Sequence, residues 1–211
     1  MNQIKSYLFI FLISFGVAGE IQYQPILLSG LITNPKQEIS GMDLYNDQIM
    51  LLPENLGGFL YMISKDEILN ALEKKDRIPI EPKQPAFHTP DYSKSIRGFE
   101  GLEAIAFNGN NVYITLESKD DETMRGYLAW GTIDPTTKEV TIPNKNLLEL
   151  ETPIQVNNMT FESLLIHNDH VILFYETQGI NLQKSVWQYQ VSLADFSVSK
   201  IEFPNIEYRI T

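Results

Sequence analysis

The chain has 211 residues, a formal charge of −11 and no cysteine. That length suits one domain with a real core. The missing thiols exclude disulfides and thiolate metal sites, and the acidity excludes nucleic acid as a partner while suiting cations.

Residues 1–19 have the order of an export signal. Lys5 is the positive region, residues 7–17 the apolar run, and Val17-Ala18-Gly19 the small-residue cleavage site. The apolar run is short for a bilayer span. The reading is a secreted or periplasmic protein whose mature chain starts near Glu20 and has no membrane partner after cleavage. An uncleaved anchor is the rival reading. The apolar segment 25–32 predicts a strand.

Three ungapped 16-mers follow: "ISGMDLYNDQIMLLPE" (39–54), "LEAIAFNGNNVYITLE" (102–117) and "FESLLIHNDHVILFYE" (161–176). Each reads as strand, polar two-residue turn, strand and a closing glutamate, with turns at Asn46-Asp47, Gly109-Asn110 and Asn168-Asp169. After each comes a third strand candidate, at 59–63, 127–132 and 186–191. Fourth strands are predicted at 139–142 and 198–203, and less clearly at 77–81. Between the first two repeats, 66–75 reads as a short helix and 78–98 as a connection carrying Pro79, Pro82, Pro85 and Pro90.

Repeated units of four antiparallel strands predict an all-β fold, a β-propeller with about three blades present. The blade units fall at 38–98, 99–157 and 158–204, with 205–211 the start of a fourth, so that 20–211 is a partial β-propeller. An ordinary β-sandwich is the competing reading. Three blades do not close a ring. The expected partners are therefore the remaining propeller blades or a second copy of the chain.

The segments Ser40-Gly41-Met42-Asp43, Gly101-Leu102-Glu103-Ala104-Ile105-Ala106-Phe107 and Phe161-Glu162-Ser163-Leu164-Leu165 resemble blade openings of the phytase-like, "esterase-like" β-propeller proteins. The resemblance runs from Glu38 to Thr211 and implies the N-terminal half of a six-bladed propeller. It also implies acidic side chains at inner-strand ends that line a central channel and hold calcium. By that resemblance Glu103 and Glu162 occupy blade-opening positions. Ser40 stands at the equivalent place in the first blade, and the basic cluster of a true phytase is not evident.

Calcium takes six to eight oxygen ligands, and carboxylates from different blades can converge on the axis. The candidate metal ligands are Glu103 and Glu162, with Glu54, Glu117 and Glu176 at the ends of the second strands. The competing reading makes them solvated rim residues. Asp120-Asp121-Glu122 reads as an exposed loop, and His167 and His170 as exposed residues flanking a turn at the opposite end. His88 lies in the Pro-rich connection and could serve as a general base over the channel mouth. Trp130 and Trp187 read as packing between blades. No nucleophile elbow, phosphate loop or dinucleotide fingerprint occurs. Two functions follow: a calcium-dependent binder or esterase/phosphatase-like hydrolase of a phosphorylated or ester substrate, or a non-catalytic scaffold for a protein or glycan partner.

Overall fold

The computed structural model describes residues 24–54, 57–74, 78–176 and 185–204. The signal segment, the expected start of a fourth blade and the Trp187 side chain lie outside what is described. The described residues form three sheets. The first holds β1 (Ile39–Tyr45), β2 (Gln48–Pro53) and β3 (Tyr61–Ser64). The second is built from β4 (Phe87–His88), β5 (Phe99–Asn108), β6 (Asn111–Asp120), β7 (Thr123–Ile133), β8 (Val140–Thr141) and β9 (Leu147–Glu151). The third is a four-stranded antiparallel meander of β10 (Phe161–His167), β11 (His170–Tyr175), β12 (Ser185–Ser192) and β13 (Val198–Pro204).

Each sheet opens with a tight hairpin. The registers Tyr45↔Gln48, Asn108↔Asn111 and His167↔His170 leave two residues in every turn. The first turn residue has positive φ in each case: 53° at Asn46, 56° at Gly109 and 51° at Asn168. Asparagine and glycine tolerate that conformation, and the resulting turn matches the twist of the strands it joins. The first strands lie side by side, β5 packing against β1 on one flank and β10 on the other. This is the arrangement of successive propeller blades about one axis, and the fold is an incomplete β-propeller.

Burial follows from place in the arc. The central blade is covered on both faces. Val112, Ile114 and Leu116 of β6 join the core shared with the first blade, whereas Tyr113 joins the core shared with the third. Consequently β6 is buried without a break from Val112 to Ser118. In contrast, β11 alternates buried and half-buried residues because only one of its faces meets another blade. Gly41 permits the close approach of β1 to β5, since a Cβ there would stand 2.9 Å from the Ile105 amide nitrogen.

Several expectations are corrected. Residues 25–32 form no strand: Leu28 makes a single bridge to Ile80, and Gly30–Thr33 is a 3-10 turn. The first blade has no fourth strand at 78–81. The β3 edge is instead met by isolated bridges at Lys83 and Ala86, because proline offers no amide for a continuous ladder. The helix expected at 66–75 starts one residue earlier, as α1 (Lys65–Glu73), held by a capping box in which the Ser64 side chain and Glu67 satisfy each other's backbone amides. The second blade exceeds four strands, with β8 and β9 pairing opposite ends of β7 and β4 adding in parallel to β8.

Candidate metal centre

Every inner strand carries a bulge at the same repeat position. The register passes from Ile39 to Gly41, from Leu102 to Ala104 and from Phe161 to Ser163. The residue stepped over is Ser40, Glu103 and Glu162 in turn. A bulged residue takes no place in the ladder and is re-aimed by the local bend. A further bulge between Phe99 and Gly101 releases Glu100 in the same way. Glu103 is therefore inside β5 rather than at its start, and Glu117 is inside β6 rather than at its end.

The five predicted glutamates gather at one end of the sheets. Glu117 pairs in register with Gly101. Glu54 and Glu176 follow the ends of β2 and β11, and their amides donate to the carbonyls of Glu38 and Thr160, at 3.0 and 2.9 Å respectively. Gly101 is the floor of the cluster. A Cβ there would lie 2.9 Å from Glu103 Oε1 and 3.0 Å from Glu54 Cγ, so only glycine lets the two carboxyls share that space.

The carboxyls resist ionisation together. Burial pushes Glu103 up to about 8, assisted by repulsion from Glu117, Glu162, Glu54 and Glu100. Glu162 is raised to about 7, by burial first and then by Glu117, Glu176 and Glu54, while a hydrogen bond with Glu103 pulls the other way. Burial also raises Glu54, which shares a hydrogen bond with Glu38, and Glu117, which Thr160 partly offsets by donating to it at 3.0 Å. Glu103 is 6% exposed, and its Oε1 is buried without a hydrogen-bond partner. A side-chain hydrogen bond thus joins the Glu103 and Glu162 carboxyls of neighbouring blades. Among the described residues, no three acidic or histidine side chains stand in ligating geometry.

Glu38 and Glu100 belong to the cluster and were not legible as site residues, because both lie outside the 16-mers. Trp130 behaves as expected. Trp130 stacks on Phe196 of the third blade at 3.8 Å between ring centroids, which is packing between blades. His167 and His170 face each other across the turn at the end away from the glutamates. Asp120 and Asp121 are paired with Arg97. His88 lines a cleft with Glu54, beside the hub.

No known protein family matches the chain, and no curated protein does so in sequence. Among the solved structures that resemble it in chain path are three at 12% identity. One is a mutant GH32 beta-fructofuranosidase of Bombyx mori in complex with sucrose, with a TM-score of 0.47, covering 84% of this chain and 40% of that one. Another is the Nup133 beta-propeller domain of Vanderwaltozyma polyspora, with a TM-score of 0.38, covering 83% and 50%. A third is a mutant apocarotenoid oxygenase of Synechocystis, with a TM-score of 0.37, covering 92% and 42%. The chain thus spans between 40% and 50% of the length of these structures.

Proposed function

We propose that the chain belongs to an exported β-propeller protein whose glutamate hub binds a hard divalent cation of the calcium type. The observation that carries the reading is the orphaned Oε1 of the buried Glu103, set among carboxyls from three blades. A buried acceptor without a partner calls for a ligand. The donor set is all oxygen, which suits calcium over softer metals. To hold the ion, Glu103, Glu162, Glu117 and Glu54 would have to draw closer than they stand here, with Glu176 outside them. The bound cation would replace the hydrogen bond between Glu103 and Glu162 and neutralise the charge of these carboxyls. Calcium supplies coordination to ligand oxygens there. The order of Lys5, the apolar run and Val17-Ala18-Gly19 supports export.

The test is thermal unfolding of the full chain with calcium and with chelator, for the wild type, Glu103→Gln and Glu162→Gln. A cation that binds only the folded state raises the midpoint with concentration. The wild type is expected to gain stability from calcium and the two variants to gain less. An equal response in all three proteins, or none in the wild type, would mean that the hub glutamates do not hold the cation.

A further inference from the structure

We infer that the cleft beside the hub binds a neutral, hydroxyl-rich ligand of about the size of a single sugar. The cleft measures about 520 Å³ and lies between the end of β2 and the Pro-rich connection. Small-molecule sites commonly occupy about 300–1,000 Å³ and combine apolar walls with a few polar groups.

Phe87, Tyr92, Phe99 and Leu102 form the apolar side. The rings of Tyr92 and Phe99 lie 5.8 Å apart and tilted by 38°, leaving Phe99 half-buried rather than sealed in the core. Aromatic surface of this kind accepts the C–H face of a sugar ring. The polar side is His88, Thr89 and Ser93, all exposed, with Glu54 at the hub end. These side chains offer donors and acceptors in the mixture that vicinal hydroxyls need. Tyr92 lines the same cleft and is 5% exposed, yet its hydroxyl is buried without a partner.

Charge selects against ions. Among the described residues, the lining holds no lysine or arginine to receive a phosphate or carboxylate. Its two carboxyls are already engaged: Asp91 pairs with Lys94 at 2.7 Å and accepts from Ser93, and Glu54 hydrogen-bonds Glu38. A ligand cation at Asp91 would have to compete with Lys94, whereas a neutral hydroxyl adds to the contacts already there.

Saturation-transfer NMR on the full chain tests the inference, run in chelator so that the outcome is independent of any hub cation. The probes are glucose, galactose, mannose and xylose, with glucose 6-phosphate and glucosamine as charged counterparts. Saturation is expected to reach at least one neutral sugar and to favour it over both charged probes. The loss of one hydrogen bond in His88→Ala should weaken that sugar about tenfold. Phe99→Leu keeps an apolar side chain but removes the ring and should weaken it too, with the unfolding midpoint checking that both variants fold. The inference falls if no neutral sugar takes up saturation, if a charged probe binds more tightly, or if both variants bind as the wild type does.

Discussion

Thr160 donates a hydrogen bond from Oγ1 to Oε2 of Glu117 at 3.0 Å, across the seam between the second and third blades. Both residues are buried, at 0% and 8% exposure. The bond therefore acts where water cannot replace it. Thr160→Val keeps the shape and removes the donor, which should cost about 1–3 kcal/mol in denaturant unfolding, whereas Thr160→Ser should cost less. Equal stabilities for the valine and serine variants would mean that the hydroxyl contributes nothing across this seam.

The hub sets a pH dependence. Glu103 at about 8 and Glu162 at about 7 are raised above the ordinary carboxylate range, so folding favours their protonated forms. Their contribution is complete below the unfolded pKa and is lost as pH rises through the folded values. In chelator, the unfolding midpoint should fall between about pH 5 and about pH 9, and Glu103→Gln should flatten the decline. Calcium should oppose it, since a cation prefers the ionised carboxylates. A flat profile in chelator would contradict the buried, mutually repelling cluster.

Gly101 offers a separate handle on the same site. Gly101→Ala places a Cβ 2.9 Å from Glu103 Oε1 and 3.0 Å from Glu54 Cγ, so one carboxyl must move away. Circular dichroism should show the fold retained, while the calcium-dependent gain in midpoint shrinks. An undiminished gain would place the cation away from these two side chains.

The outer face of the first blade predicts association. Met42 and Leu44 of β1 are 68% and 55% exposed and share that face with the half-buried Ile49 and Leu51. Contiguous apolar surface of this kind marks an interaction face. Light scattering should show self-association that falls in a Met42→Lys, Leu44→Lys double variant. A monomeric wild type at high concentration would remove this expectation.

The hairpins were legible because three features coincide in each: apolar strand positions, a two-residue polar turn, and a residue that accepts positive φ, as Asn46, Gly109 and Asn168 do. The edges were not. Leu147–Glu151 pairs with β7 through long-range register, which local patterning does not encode. The prolines of the first connection deny it a ladder while leaving its backbone beside β3, so its strand-like composition misleads. At the hub, the repeat pointed to Glu103 and Glu162 but not to the bulges that turn them inward, because a register shift depends on the partner strand. Glu38 lies outside the 16-mers, and its link to the hub runs through Glu54, across the ladder.

The shared bulge has a consequence for how such a protein can change. Ladder residues are constrained by their partners, but Ser40, Glu103 and Glu162 are stepped over in the pairing of their strands. Exchanging one alters what the axis presents and leaves the hydrogen-bond register intact. The first blade already illustrates this freedom, its hydroxyl lying 3.4 Å from the Leu52 carbonyl where the other blades place a carboxyl. Each blade thus carries one position where a side chain can be exchanged without disturbing the hydrogen-bond register of the hairpin around it.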